Sequence, residues 1–144
     1  MSLLYRTILR PAVFLQDSEK AHKRLISILA RISRSRLLTS LLGNLYSSPE
    51  LPINLFGLDF PNPLGIAAGM DKNGAAVPSW QSIGYGFSEI GGVTLHDQLG
   101  NPKPRMFRAT AEKALVNRMG FNNIGANAVN DRLKDWKDRG LWPD

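Results

Sequence analysis

The sequence predicts an α/β fold in which short parallel strands alternate with helices, preceded by two amphipathic helices. Three observations carry this. Leu64 to Ala68 has no polar side chain, as a parallel strand buried on both faces requires. Gly69 and Gly74 then bracket Met70-Asp71-Lys72-Asn73, and Ala75-Ala76 opens a helix. Phe87 to Thr94 reads as a strand on the far side of that helix, which makes a strand–helix–strand unit and a parallel pair.

Taken from the amino terminus, residues 3–15 form a short apolar helix interrupted near Pro11. Asp17 caps the next helix and Glu19 complements the dipole of its first turn. Ala21, Leu25, Ile28, Leu29 and Ile32 recur on one face, with Lys20, Lys23, Arg24, Arg31 and Arg34 opposite and His22 at the edge. A further helix spans about 36–46, where Leu37, Leu38, Leu41, Leu42 and Leu45 make a broad apolar face. Gly43-Asn44 and Ser47-Ser48-Pro49 end it. Two leucine-rich, basic helices suit an anchor lying in a membrane interface. The same faces equally suit packing on the rest of the protein.

Residues 51–62 lead into a hairpin: Ile53 to Phe56, a Gly57-Leu58 turn, then Asp59 to Pro61. Pro63 fits the first position of the strand that follows. The helix after it, about 75–83, tolerates Pro78 in its first turn, and Gly84-Tyr85-Gly86 breaks it. Residues 95–104 are irregular. Arg105 to Arg108 and Ala114 to Val116 pair as a second hairpin around Thr110 to Lys113, and Asn117 to Asn123 is a polar, glycine-containing loop. A helix over about 125–138 carries Ala128, Val129, Leu133 and Trp136 inward and ends at Gly140, with Pro143 beyond.

Composition narrows the chemistry. The 144 residues contain no cysteine and only two histidines, His22 and His96, so no metal site of ordinary ligand spacing is expected. The net charge of +6 is concentrated early: residues 1–50 hold eight Lys/Arg against three acids, residues 51–144 ten against nine. No run reaches the roughly 18–20 apolar residues of a spanning helix, and Arg6 and Arg10 break a leader-like stretch. Basic residues without interleaved aromatics argue against a nucleic acid. Position alone singles out Lys72, at the carboxyl end of the first strand, where α/β folds bind ligands. Two strand–helix units leave sheet edges unpaired, whereas a βα barrel takes about 250 residues; the chain reads as the front part of a larger enzyme.

Four segments in order sharpen this: Ala67-Ala68-Gly69-Met70-Asp71-Lys72-Asn73-Gly74, Glu89-Ile90-Gly91-Gly92-Val93-Thr94, Gly100-Asn101-Pro102-Lys103-Pro104-Arg105-Met106-Phe107-Arg108, and Asn117-Arg118-Met119-Gly120-Phe121-Asn122-Asn123. Together they resemble the amino-terminal part of class 2, quinone-dependent dihydroorotate dehydrogenases. Phe14 to His22 resembles that family's helical quinone-tunnel extension. The resemblance implies the N-terminal portion of a (β/α)8 TIM barrel from residues 51–144, preceded by a membrane-associated extension over residues 1–50. It implies FMN as cofactor and dihydroorotate as substrate. Hydride passes to the flavin while a base expected beyond residue 144 takes a proton, and electrons leave to quinone, giving orotate for pyrimidine biosynthesis. It further implies a peripheral protein on the cytoplasmic side of a bacterial inner membrane, with catalysis absent from the 144 residues alone.

Residue by residue, the resemblance places Ala68, Gly69, Met70, Asp71, Lys72 and Gly92 at FMN. It places Lys72, Asn117, Arg118, Met119, Gly120 and Phe121 at the substrate, and His22 and Arg108 along the quinone tunnel. The residue types agree. A fixed lysine stabilises negative charge on a reduced flavin and holds a substrate carboxylate. Ala68 and Gly69 let backbone approach a flat ring, and Asn117 offers donor and acceptor to an amide edge. Many relatives carry a hydroxyl where Gly92 stands, so only backbone serves there. Read without the family, Arg108 pairs with Glu112 or Asp97, and Asn122-Asn123 make loop hydrogen bonds. The alternatives are a basic membrane-surface module without catalysis and another FMN barrel oxidoreductase.

Overall fold

The computed structural model describes residues 3–46 and 51–142; the expected stop signals at 47–49 and at Pro143 lie outside them. A π-helical turn, Tyr5–Leu9, runs directly into α1 (Arg10–Phe14). The interruption expected near Pro11 is therefore a change of helix type. Proline has no N–H to donate, and the first turn of a helix needs none. α2 (Ser18–Ile32) is capped by Asp17, whose carboxylate accepts from the Lys20 amide at 2.9 Å. α3 (Arg36–Leu45) is capped in the same way by Ser35.

These helices dock by stripes other than their most apolar ones. The side of α2 turned to the body runs Glu19, His22, Ile26, Leu29 and Ser33, all buried or half-buried. That stripe lies about 90° around the helix from the expected face. Leu29 is 6% exposed, while Leu25 and Ile28 stand 42% and 45% exposed. α3 packs on α4 (Val77–Ser82), and Thr39, Leu42 and Gly43 are its half-buried positions. Leu37, Leu38, Leu41 and Leu45 are exposed. Packing on the body thus holds for part of the α2 face, through Leu29 and Ile32, and for little of the α3 face, where only Leu42 is half-buried; small and polar side chains make the rest of the seam, with hydrogen bonds across it. Between α2 and α4, Ser33 Oγ lies 2.8 Å from Ser79 Oγ and accepts from the Ser79 amide, while the Ser79 hydroxyl donates to the Leu29 carbonyl at 2.8 Å.

β1 (Ile53–Leu55) and β2 (Leu58–Phe60) form an antiparallel hairpin. Its turn is Phe56-Gly57 rather than Gly57-Leu58: both have left-handed φ, 57° and 75°, the geometry that matches strand twist in a two-residue connection. β3 (Gly65–Ile66) and β4 (Phe87–Ser88) pair in parallel, with α4 between them in sequence. Both are much shorter than expected, and Leu64 is exposed. Each has one neighbour among the described residues, so neither ladder continues and only Ile66 is buried. Gly65 leaves room for the Phe87 ring, which a Cβ there would displace. β5 (Met106–Ala109) and β6 (Ala114–Asn117) form the second antiparallel hairpin. α5 (Ala126–Asp138) ends at Gly140, φ 62°.

Among the described residues the sheets are three separate strand pairs and no closed barrel forms. The core sits where α2, β3 and α4 meet, at Leu29, Ile66, Ala76 and Trp80, flanked by Ile26, Ile32, Met70, Ile83 and Tyr85. No described helix is long and apolar enough to cross a membrane.

Candidate functional site

The loop after β3 is locked by every element around it. Both Asp71 carboxylate oxygens turn to the start of α4: Oδ1 accepts from the Ala75 amide at 2.8 Å, Oδ2 from the Ala76 amide at 2.7 Å and from Trp80 Nε1 at 3.2 Å. α5 adds Arg132 to the Asn73 carbonyl and Trp136 Nε1 to the Gly74 carbonyl, each at 3.0 Å. The Gly91 amide donates to the Lys72 carbonyl at 3.0 Å. Glycine is required at 91, since a Cβ there would stand 2.9 Å from Lys72 Cβ. With Asp71 facing inward, Lys72 faces the opposite way. Its ammonium donates to the Gly120 carbonyl at 3.0 Å and to Asn122 Oδ1 at 2.8 Å.

Lys72 borders a cleft of about 310 Å³. The loop contributes Gly69 to Asn73, α2 contributes His22, Ile26 and Ala30, and Met106, Asn117, Met119 and Asn122 close the third side. A Cβ at Gly69 would meet open space. Asn73 Oδ1 is buried with no hydrogen-bond partner. Burial, and then the Arg105 charge, push Lys72 below the ordinary lysine value. Burial also lowers His22, which favours a neutral imidazole at pH 7.

Of the residues expected at a site, Gly69, Met70, Asp71, Lys72, Asn117, Met119 and His22 border this one cleft. Gly120 does not line the cleft, but its carbonyl accepts from the Lys72 ammonium. Ala68 precedes the loop without bordering the cleft, and Phe121, 75% exposed, lies over Gly92 with its ring 3.5 Å from where a Cβ would be. Arg118 turns away and donates to the Pro104 carbonyl at 3.2 Å. Arg108 is not in the cleft and meets neither Glu112 nor Asp97. It donates to the Gln16 carbonyl at 2.6 Å and sits 4.9 Å from the centre of the Phe14 ring, tying the α1–α2 connection to β5.

The loop hydrogen bonds expected of Asn122-Asn123 are present: Asn122 holds Lys72, while Asn123 braces the loop by accepting from the Gly125 amide at 2.9 Å and pairing with Thr94. Two contributors were not visible in the pattern. Gly91 was hidden within a glycine pair. Glu19, expected only to complement the α2 dipole, is buried against Arg105 at 2.9 Å, with Lys23 at 3.1 Å. The Arg105 guanidinium holds its carboxyl down at about 2. Arg105 also donates to the Leu99 and Asn101 carbonyls, and the Asn101 amide donates to the Met119 carbonyl at 3.1 Å. α2 is thereby joined to the loop that carries Met119.

A family model described as dihydroorotate dehydrogenase matches residues 50–141. This chain belongs to that family. A dihydroorotate dehydrogenase (quinone) of Chloroflexus aurantiacus is 50% identical over 137 residues, covering 92% of this chain and 38% of the relative. One of Gloeobacter violaceus is 50% identical over 133 residues, covering 90% and 37%. The crystal structure of an Eimeria tenella dihydroorotate dehydrogenase in complex with ferulenol superposes with a TM-score of 0.69 at 36% identity, covering 87% of this chain and 33% of that one. The chain therefore spans under two fifths of the length of these dihydroorotate dehydrogenases.

Proposed function

We propose that this chain contributes one wall of the FMN and dihydroorotate site of a class 2 dihydroorotate dehydrogenase, together with its quinone entry. The reaction is oxidation of dihydroorotate to orotate, in pyrimidine biosynthesis, with quinone as final acceptor. One observation carries the reading: a single cleft gathers Lys72, Asn117, Met119 and His22, residues the family resemblance assigns to flavin and substrate (Lys72), substrate (Asn117 and Met119) and quinone (His22). The family match and the relatives' names support it.

The residues fit the cofactor. The open space at Gly69 accommodates a flat ring beside the Ala68–Gly69–Met70 backbone. FMN, when bound, supplies the hydride acceptor. Lys72 places a fixed positive charge beside the negative charge that develops, and binds the substrate carboxylate. The Asn117 amide pairs with the dihydropyrimidine edge, and Arg118 shapes its segment from outside. Gly120 fixes Lys72, Phe121 shields the Gly92 side, and Asp71 acts by holding the loop. A neutral His22 beside Ile26 and Ala30 suits an uncharged quinone ring, while Arg108 keeps the α1–α2 connection in place. Residues 1–50 serve as the membrane-facing extension and residues 51–144 as the opening of the barrel, at the cytoplasmic side of a bacterial inner membrane. The uncovered leucines of α3 suit an anionic lipid surface.

The test is a chimera in which the 144 residues replace the matching part of the Chloroflexus aurantiacus relative. Dihydroorotate-dependent quinone reduction is expected. A folded, FMN-loaded chimera that leaves dihydroorotate unoxidised overturns the reading. The second reading, a basic membrane-surface module without catalysis, rests on the same leucines and on the eight Lys/Arg against three acids of residues 1–50; it predicts salt-sensitive vesicle binding in a chimera without turnover.

A further inference from the structure

We propose that Asn122 is a positioning residue for Lys72: its side-chain oxygen and the Gly120 carbonyl take two of the three ammonium N–H bonds and reserve the third for a ligand in the cleft. The role toward dihydroorotate and flavin rests on the reading above; the contact does not. An ammonium has three donors and no acceptor. The distances, 2.8 Å to Asn122 Oδ1 and 3.0 Å to the Gly120 carbonyl, leave one donor uncommitted on a side chain that borders the cleft. Lysine also dictates the amide orientation, because only Oδ1 of Asn122 can accept from it.

The other end of the side chain is equally constrained. Gly91 packs against Lys72 Cα and Cβ at a separation no side chain would allow, and its amide holds the Lys72 carbonyl. A free lysine side chain loses much rotamer freedom when it is fixed. Here stem and tip are both held before any ligand arrives, so binding the third N–H orders little more. Asn123 is the brace behind this arrangement, through Thr94, Phe121 and Gly125. The adjacent asparagines thus divide the work, one holding the loop and one holding the lysine.

Four titratable groups lie around Lys72: Asp71 is committed to α4, Arg105 is paired with Glu19, Lys23 lines the cleft from α2 and pairs with Glu19, and His22, a neutral imidazole, faces the same cleft from α2. Asn122 is therefore the polar side chain whose change should be felt most at the ammonium.

The titration of Lys72 in the 144-residue chain reads this contact without cofactor or substrate. It is followed through the Cε–H signals of ¹³C-labelled lysine and assigned by their loss in Lys72→Arg. Asn122→Ala is expected to lower the Lys72 midpoint by about half to one pH unit, and Asn122→Asp to raise it by about one unit, with the other lysines unmoved. A residue that only closed the loop would shift neither midpoint. Unmoved midpoints in both variants overturn the proposal. Should Asn122→Ala not fold, the near-isosteric Asn122→Asp decides alone, and an unraised midpoint overturns it. Failure of the dihydroorotate reading would leave these shifts intact, and absent shifts would leave that reading standing.

Discussion

α2 and α3 are both amphipathic, α2 the more basic and α3 the richer in leucine, and they end in different environments. α2 is held by what its polar residues do: Glu19 meets Arg105, Ser18 donates to the Met106 carbonyl, and Ser33 meets Ser79. Only Ile26, Leu29 and Ile32 of its apolar residues reach the core. α3 approaches α4 through Thr39, Leu42 and Gly43 and presents four leucines to the outside. An amphipathic pattern therefore shows that a face is to be covered without naming what covers it. Buried polar partners identify the docked side.

The comparison breaks most directly at Trp80, which the docked side of α2 covers and whose Nε1 holds Asp71. Trp80→Ala should cost about 3–5 kcal/mol in urea denaturation, a far larger loss than any change on the outer leucines. Next is Glu19→Gln, expected at about 3 kcal/mol because it leaves the buried Arg105 without its counter-charge. pH supplies a second reading of that pair. Since Glu19 titrates near 2 when folded, its contribution is fully present above the ordinary glutamate range and is lost as the pH falls through it toward 2. Thermal unfolding followed from pH 5 to about 2 should show this loss in the wild type and a flatter profile in Glu19→Gln. Ser33→Ala, which strips the Ser79 amide of its acceptor, should cost about 1–2 kcal/mol. Smallest is the pair Leu37→Gln and Leu41→Gln, within about 0.5 kcal/mol of wild type in solution, yet with most binding to anionic vesicles gone. A loss of stability from those leucines comparable to Trp80→Ala would erase the distinction between the two helices.

Much of this was legible in the residues because the chemistry is local. The Asp17 cap, the hairpin over 106–117 and the helix closed by Gly140 each depend on a few neighbouring side chains. Lys72 was legible as a candidate site residue from its place after a strand, and it borders the cleft together with Gly69. What pattern reasoning missed depends on partners distant in sequence: Glu19 and Arg105, Gly91 and Lys72, Asn122 and Lys72. The strand lengths erred for a related reason. Apolar runs report the capacity for burial, whereas ladder length depends on how many neighbouring strands are present to pair. Arg108 was assigned acidic partners by proximity in sequence, but carbonyls at the end of α1 and the Phe14 ring took it instead.

The most direct test of the account measures flavin reduction by dihydroorotate, without oxygen and without quinone, in the FMN-loaded chimera. Lys72→Ala should slow this step by about 100-fold or more, whereas the doubly substituted Leu37→Gln/Leu41→Gln should reduce its flavin at the unaltered rate and lose only quinone turnover at vesicles. Equal rates of flavin reduction with and without Lys72 would contradict the assignment of the cleft.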